Sequence, residues 1–427
     1  MEKALTIRAA RMITGRGNEV IDDAAVHIEN GRITAAGPAR DVASPVGAAT
    51  VEYRDGTLLP GLIDAHVHLT FRRGETTVEH MQRVTDAQAL LRGVQAARQV
   101  FAAGVTTVRD CAARGRLAQA LRDGIRDGLI DGPRILASGQ PITTTAGHIW
   151  PLAYECDTAD ACRTAVRQLV KEGADFIKVC ATGGGMTPGS MTGRAQYTVE
   201  QLRAIVEDAH RFGRHVAAHV HGTEGIARAV EAGVDVLEHV SWQRLDGRGD
   251  GFDENVARQM AACGTFANIA SGPPRELVHR RGAAPEARHH TGAAGRQEPE
   301  AQAASGTIKP AIAGQTATLA RWEHARRMIE LGVPVCFSTD SVYGWYDDGR
   351  DLSYLAQILV ETGGFAPLDV LNMITSVPAR AIGWGDRLGS IEPGKLADLL
   401  VVQGNLAADI HALHDVQAVY KEGVPAA

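Results

Sequence analysis

The stretch TVEQLRAIVEDAHRFGRHVAAHVHGTEGIARAVEAGVDVLEHV, residues 198–240, decides the fold class of this chain. It opens with the capping box T-V-E-Q and continues with the apolar spacing of an amphipathic helix up to Gly213. The short apolar run HVAAHVHG follows at once, and then a second helix leads to a second run, VDVLEHV. Short apolar strands that alternate with helices are typical of a parallel sheet. The stretch therefore predicts an α/β fold.

Eight apolar runs of this kind lie between Leu62 and Ser341, with helical segments between them. In chain order they are LIDAHVHL, GVTTVRDC, RILASG, FIKVCAT, HVAAHVHG, VDVLEHV, TFANIA and VPVCFSTDS. Eight strands with intervening helices predict a (β/α)8 TIM barrel over residues 60–385, with a doubly wound open sheet as the alternative. Residues 272–310 interrupt the pattern with a stretch rich in Gly, Ala, Pro, Arg and Glu. This insertion is either a substrate lid or a disordered loop.

The two chain ends have a different pattern. Residues 1–59 alternate short β-prone runs, such as AAVHIE and ATVEYR, with Gly and Asn turn signals, and they contain no convincing helix. The tail, residues 386–427, returns to β character in LGSIEPGKLADLLVV and VQAVYKEG. We therefore predict that both ends together form a small β-sandwich domain.

Bulk composition excludes several classes of protein. The chain has 427 residues, of which 44% are hydrophobic and 22% charged, as in an ordinary globular protein. Its net charge of -6, with both signs interspersed, favours neither nucleic acid nor a membrane surface as a partner. There is no apolar leader and no run of about twenty apolar residues, so we expect a cytoplasmic protein. Six cysteines without a CxxC pair indicate neither disulfides nor a cysteine zinc site.

Polar side chains gather at the ends of the predicted strands. His66 and His68 are two residues apart on one strand, so both rings project to the same face and can bind one ion. Such a pair also arises by chance. His219, His239 and Asp340, however, each lie near the end of another strand, and these ends converge in a barrel. The pattern predicts a metal site.

Lys178 in FIKVCATGGG stands among apolar residues, where an ammonium ion is costly. It is either a buried cation paired with a carboxylate or a lysine carboxylated by carbon dioxide, whose two anionic oxygens can bridge two metals. Two divalent ions bring four positive charges, and the carbamate, Asp340 and a bridging hydroxide supply three negative ones. An ammonium group would instead repel both ions. Charge counting therefore favours carboxylated Lys178.

Together these motifs resemble the amidohydrolase superfamily. The likeness rests on LLPGLIDAHVHL, FIKVCATGG, VAAHVHG, VLEHVS, FSTDS and GSIEPGKLADLLVV, and it covers the chain apart from residues 272–310. The chain is most similar to the prolidase-like and Xaa-amino-acid carboxypeptidase group, which includes ochratoxin-type and phenylurea amidohydrolases. This resemblance implies two divalent ions, usually zinc, and a carboxylated Lys178 that contacts both. The more buried ion would be held by His66, His68 and Asp340, and the more exposed one by His219 and His239.

The resemblance also implies an activity and further site residues. A metal-bridging hydroxide would cleave the C–N amide bond of an N-acyl amino acid, dipeptide or aryl amide, with Asp340 as general acid and base. His221 would hydrogen-bond the carbonyl oxygen of this small-molecule substrate, and His148 would bind its polar end. Each of these two could instead be a structural histidine. Tyr343 could line an apolar pocket or only contribute to packing.

Alternatives stay open at this point. The same centre could hydrolyse a carbamate, a urea or a xenobiotic amide. The enzyme could also be mononuclear, like an imidazolonepropionase or a deaminase, although such enzymes lack the lysine on the fourth strand; metal content distinguishes the two. A non-catalytic relative is disfavoured because such proteins lose ligands, and all six are present here. Assembly as a homo-oligomer is left open.

Overall fold

A computed structural model describes residues 4–45, 47–72, 78–248, 250–272, 310–343 and 348–426, without the side chains of 310–317 and 342–343. Its strands, in chain order, are β1 (Ala4–Ile13), β2 (Val20–Glu29), β3 (Arg32–Pro38), β4 (Ala49–Pro60), β5 (Leu62–Arg72), β6 (Val105–Asp110), β7 (Arg134–Ala137), β8 (Ile142–Thr143), β9 (Tyr154–Glu155), β10 (Ile177–Cys180), β11 (Val216–Gly222), β12 (Val236–Gln243), β13 (Phe266–Ala270), β14 (Val335–Ser338), β15 (Ser341–Tyr343), β16 (Leu399–Gln403), β17 (Val416–Lys421) and β18 (Val424–Pro425).

The helices lie almost entirely between the strands of the central region. They are α1 (Val78–Arg83), α2 (Asp86–Ala102), α3 (Leu117–Arg126), α4 (Ala159–Lys171), α5 (Val199–Arg211), α6 (Thr223–Glu231), α7 (Glu254–Cys263), α8 (Pro310–Glu330), α9 (Asp351–Glu361), α10 (Pro367–Met373) and α11 (Ser376–Ala381). The predicted capping box is present at the start of α5, where the Thr198 hydroxyl accepts from the Gln201 amide and the Gln201 side chain accepts from the Thr198 amide. None of the helices in the described ranges is both long and apolar enough to cross a bilayer.

The eight predicted apolar runs coincide with β5, β6, β7, β10, β11, β12, β13 and β14. They form two parallel sheets, one with the order β14-β13-β12-β11-β10-β8-β9 and the other with the order β15-β5-β6-β7. The predicted α/β fold with parallel strands is confirmed. Because neighbouring strands are parallel and in register, their carboxyl ends lie at the same edge. Cys180 pairs with His219, and Val220 pairs with His239.

Strands from the two chain ends form a third sheet, with the order β18-β17-β16-β4-β1-β2-β3. Strand β4 pairs in parallel with β1 and antiparallel with β16, so it joins the N-terminal and C-terminal strands. One face buries an apolar cluster that includes Ile7, Leu58 and Leu399. The described strands of both ends thus share one continuous sheet, and the division into domains, including the sandwich, stays a prediction.

Two further expectations concern single segments. The six cysteines are free, and all but Cys263 are buried, as expected of small apolar side chains. The insertion at residues 272–310 lies, except for its two end residues, outside the described residues.

Candidate metal centre

Three ligand atoms converge at the end of β5. The Nε2 atoms of His66 and His68 lie 3.3 Å apart, and each is 3.4 Å from Oδ1 of Asp340. Both rings are buried, whereas the Asp340 side chain is 36% exposed. Atoms placed about 2.1 Å from one ion at tetrahedral angles lie about 3.4 Å from one another. The triangle formed by these three atoms therefore has the dimensions of one face of a tetrahedral metal site.

Hydrogen bonds determine which nitrogen of four imidazoles carries the proton. Carboxylates and carbonyls only accept, so the ring nitrogen that contacts one of them must donate. The contacts are His66 Nδ1 to Glu238 at 2.7 Å, His68 Nδ1 to the Ala112 carbonyl at 3.4 Å, His219 Nε2 to the Gly183 carbonyl at 3.2 Å and His239 Nδ1 to the Ala270 carbonyl at 3.0 Å. The other nitrogen of each ring keeps its lone pair, which is the arrangement that metal-binding histidines require. The donor set therefore fits divalent metal ions.

His221 and His148 have a different kind of partner. His221 Nδ1 lies 2.9 Å from the Ser241 hydroxyl, and His148 Nδ1 lies 3.4 Å from the Thr187 hydroxyl. A hydroxyl can donate or accept, so neither contact fixes the position of the ring proton. Both rings can therefore present either a donor or an acceptor to another molecule.

A second group of imidazoles lies beside the triangle. Nitrogen atoms of His219, His221 and His239 all come within 4.8 Å of one another. The His148 ring lies tilted against the His219 ring, with the ring centroids 4.4 Å apart. It can approach so closely because residue 184 is glycine, where a Cβ atom would lie 2.3 Å from the His148 ring. The site thus contains a continuous cluster of six histidine rings.

Lys178 lies on β10 beneath this cluster and is only 3% exposed. Its positive charge influences His66, His219 and His239. No hydrogen bond or ion pair joins its ammonium group to any residue that the structure describes. Its charge also acts on the buried carboxylates of Asp110 and Glu238, but no direct ion pair within the described ranges compensates the cost of burying a protonated amine.

Burial lowers the pKa of five of these histidines, namely His66, His148, His219, His221 and His239. It lowers the pKa of His66 to about 3, an effect to which the charge of Lys178 adds, and it lowers the pKa of His148 to about 3. Burial also brings the pKa of His219 and of His221 well below the ordinary value. Neutral imidazole is the form that binds metal. For Asp340, burial favours a raised pKa, but the neighbouring His68, His66 and His239 outweigh it, so that this pKa lies below its usual range.

The turn that carries Asp340 is anchored to β5. The carboxylate of Asp64 accepts from the Thr339 hydroxyl at 2.6 Å and from the Thr339 amide at 3.2 Å. The amide of Asp340 donates to the His66 carbonyl at 3.0 Å. Asp340 itself has a φ of +50°, in the left-handed region that costs a non-glycine residue energy. These contacts hold the strained turn so that the carboxylate points at the two histidines.

A buried polar network supports His66 from inside the molecule. The carboxylate of Glu238 is fully buried and accepts from His66, from the Asn268 amide at 2.8 Å and, in a short ion pair, from the Arg109 guanidinium. Arg109 also donates to the Ala65 carbonyl at 2.7 Å. Burial alone raises the pKa of Glu238, but the charge of Arg109 and the hydrogen bond from His66 outweigh it and hold that pKa below its usual range. Glu238 is therefore a carboxylate that fixes the orientation of His66.

Sequence reasoning missed Glu238, and the backbone explains why. Regular strand alternation predicts that Glu238 and His239 face opposite sides of the sheet. His239 and Val240, however, have φ values of +69° and +44°, which break the alternation, so both side chains reach the site. The available signal was a carboxylate inside the apolar run VDVLEHV.

Arg321 on α8 was also missed by sequence reasoning. It is half-buried, and its charge lowers the pKa of His221. The side chain of Tyr343 lies outside the described residues.

Comparison with known proteins gives a consistent assignment. The sequence model of the amidohydrolase family matches residues 57–425. The chain is 28% identical over 450 residues to ochratoxinase of Aspergillus niger, covering 98% of this chain and 85% of that protein. It is 25% identical over 421 residues to imidazolonepropionase of Chloroflexus aggregans, covering 91% of this chain and 86% of that one.

A solved structure of a Xaa-Pro dipeptidase with methionine bound in its active site superposes with a TM-score of 0.79 at 28% identity, covering 99% of this chain and 100% of that one. These relatives confirm the predicted superfamily and a hydrolase that acts on carbon–nitrogen bonds. The chain belongs to the amidohydrolase family.

Proposed function

We propose that this enzyme cleaves the amide bond of an N-acyl amino acid, dipeptide or aryl amide with two divalent metal ions, most naturally zinc. The six residues that would hold the ions are His66, His68, Lys178, His219, His239 and Asp340. The observation that carries the proposal is the triangle of His66, His68 and Asp340. Two Nε2 atoms and a carboxylate oxygen lie 3.3 to 3.4 Å apart, and the Nδ1 contacts with Glu238 and the Ala112 carbonyl leave both Nε2 atoms with a lone pair. These atoms repel one another unless a cation lies among them.

We also infer that the two parallel sheets close into one barrel. Hydrogen bonds at both seams support this closure. At one seam the Asp340 amide donates to His66 of β5, and at the other the Asp175 amide, just before β10, donates at 2.8 Å to Ala137 of β7. Barrel strands present their carboxyl ends to one pocket. Closure therefore accounts for the meeting of residues from the first, fourth, fifth, sixth and eighth strands.

We infer further that Lys178 is carboxylated on Nζ. Its burial without a counter-ion supports this, since carboxylation removes the cation and supplies two anionic oxygens. The carbamate would lie between the triangle and the pair His219 and His239, and it would complete both sites. A single-ion enzyme would leave Lys178 as an unpaired buried ammonium.

The bound ions would lower the pKa of a water from 15.7 to about 7 and polarise the substrate carbonyl. Asp340 is placed to accept the proton of the attacking water and to deliver it to the leaving nitrogen, because its carboxylate is both next to His66 and His68 and partly open to the pocket. His221 would donate a hydrogen bond to the carbonyl oxygen as charge develops there, while the Ser241 hydroxyl donates to its other nitrogen. His148 would bind the polar end of the substrate.

The substrate class is supported by the relatives. Ochratoxinase and a Xaa-Pro dipeptidase resemble the chain over nearly its full length. The dipeptidase structure holds methionine in its active site, which is the size expected of one amino-acid product. A carbamate, a urea or a xenobiotic amide is the alternative substrate of the same centre.

Metal content and one lysine test the proposal. The parent enzyme should contain two equivalents of zinc and hydrolyse members of a panel of N-acyl amino acids, dipeptides and aryl amides. Lys178→Ala should lose most turnover and at least one ion, and the parent enzyme alone should incorporate labelled carbon from carbon-13 bicarbonate. Lys171→Met, on the exposed end of α4, is the matched control. Two ions and full turnover in Lys178→Ala would refute the carbamate.

A further inference from the structure

A single arginine faces the candidate site from outside the strand ends. Arg321 lies in the middle of α8, and its neighbours Trp322 and Ala325 are buried, so this face of the helix is turned towards the interior. Helix α8 packs against β12, which carries His239, and against β14, which leads into Asp340. Arg321 itself is only half-buried. A side chain on an inward-facing helix surface that still reaches solvent lines a cavity.

The charge of Arg321 acts on residues of the candidate site. Its charge lowers the pKa of His221, and the charge of Asp340 acts on Arg321 in turn. Burial lowers the pKa of Arg321, which shows that the group is partly removed from water. Arginine nonetheless stays charged at neutral pH.

Arg321 also lacks the partners that its neighbours have. Arg326 pairs with Glu323 at 3.2 Å, and Arg327 pairs with Asp250 at 3.5 Å. Among the described residues, by contrast, no hydrogen bond or ion pair reaches Arg321. A desolvated guanidinium without an anion is unfavourable, and its five donors form a fork that matches a carboxylate. The missing partner is therefore expected to come with a ligand.

We propose that Arg321 binds a carboxylate group of the substrate and so selects N-acyl amino acids and dipeptides over neutral amides. This inference rests on the proposed amide hydrolysis. Asp340 would protonate the leaving nitrogen, and in an N-acyl amino acid the carboxylate is separated from that nitrogen by one carbon. Because α8 packs against the strand that carries His239 and the strand that leads into Asp340, Arg321 on its inward face can hold that carboxylate while the amide carbonyl lies at the metal centre. Arg321 is thus a specificity-determining residue.

The test uses two probes that differ only in the carboxylate. The zinc-loaded parent enzyme, Arg321→Met, Arg321→Lys and the control Arg326→Met on the same helix are assayed with N-acetyl-L-phenylalanine and N-acetyl-L-phenylalaninol. Binding of the products L-phenylalanine and L-phenylalaninol is measured by calorimetry, which is independent of turnover. For N-acetyl-L-phenylalanine, Arg321→Met should raise KM about 10- to 100-fold, and it should weaken the binding of L-phenylalanine by a similar factor. The values for the two alcohols, which lack the carboxylate, should not change. Arg321→Lys should lose less, because it keeps the charge but not the fork.

The outcomes separate this inference from the proposed function. If the parent hydrolyses both probes and Arg321→Met changes them equally, carboxylate recognition by Arg321 is wrong and amide hydrolysis stands. If the parent hydrolyses neither probe but binds L-phenylalanine more tightly than L-phenylalaninol only when Arg321 is present, the recognition stands and hydrolysis of this substrate class fails. If the parent shows no preference for the carboxylate ligand, the inference is overturned.

Discussion

Nδ1 of His66 lies 2.7 Å from a carboxylate oxygen of Glu238, and this contact determines which ring nitrogen is available to the candidate ion. Glu238 is ionised and can only accept, so the proton resides on Nδ1 and the Nε2 lone pair points towards His68 and Asp340. Arg109 in turn keeps Glu238 ionised. His66, the first ligand of the proposed centre, is therefore oriented through a buried carboxylate and a buried cation.

Replacing Glu238 by Gln should weaken metal binding, in addition to the stability that is lost when Arg109 is left without its anion. The amide oxygen can still accept from His66, but the negative charge that makes the imidazole a stronger ligand is lost. Loss of such an outer partner lowers metal affinity or activity about 10- to 100-fold. The measurement is zinc affinity by competition with a chelator. Glu224→Gln on α6 is the control, because Glu224 pairs with Arg228 away from the triangle. An unchanged zinc affinity would contradict the orienting role.

Replacing Arg109 by Met should destabilise the fold more than it affects chemistry directly. The change leaves the carboxylate of Glu238 buried without its cation, and breaking a buried pair in this way costs about 3–5 kcal/mol. The double variant Arg109→Met with Glu238→Gln should recover part of that loss, since no charge is then left unpaired. Denaturant unfolding of all four proteins measures the coupling. Strictly additive losses would show that the two side chains do not depend on each other.

The strands and most of the centre follow from the sequence for a simple reason. Apolar runs with short spacing mark the eight parallel strands, and their carboxyl ends must meet, so His66, Lys178 and His219 were identifiable from their position in a run. Glu238 and Arg321, which lie outside the proposed ligand set, were not identifiable in this way. Glu238 reaches the site only because the backbone at His239 departs from regular alternation, and Arg321 follows the insertion at residues 272–310, across which helical register cannot be counted.

Stability should fall in mild acid partly through His414, which lies far along the chain from the centre. Burial lowers its pKa to about 4 from an ordinary 6.5, and its Nε2 lies 2.9 Å from the Gln357 side-chain oxygen. Between about pH 6.5 and about pH 4, His414 is protonated in the unfolded chain but stays neutral in the folded protein. The stabilisation is therefore complete above about pH 6.5 and is lost as the pH falls to about 4. It amounts to roughly 2 kcal/mol after allowance for partial exposure.

His414→Gln should remove this dependence, because glutamine can still bond Gln357 but does not titrate. The free energies of unfolding of parent and variant are compared at about pH 7 and about pH 4.5. Between these two pH values the parent should lose more of its free energy of unfolding than the variant does. Other buried histidines titrate equally in both proteins and cancel in the comparison. Parallel stability curves over this interval would exclude His414 as a source of the acid sensitivity.

Asp340→Asn separates the two roles proposed for this residue. The amide keeps an oxygen that can complete the triangle with His66 and His68, but it cannot accept a proton from water at neutral pH. The variant should therefore retain most of its zinc and its KM, while kcat falls by about 10²- to 10⁴-fold, the usual contribution of a general acid and base. Metal content and steady-state kinetics are measured on the same preparation, with Asp123→Asn at an exposed ion pair as the control. Asp340 would accept the proton of the attacking water and deliver it to the leaving nitrogen. Both steps belong to the chemical reaction and not to substrate binding, so the loss should lie in kcat. Joint loss of zinc and turnover would make Asp340 a ligand only, and full turnover with both ions present would show that another group moves the proton.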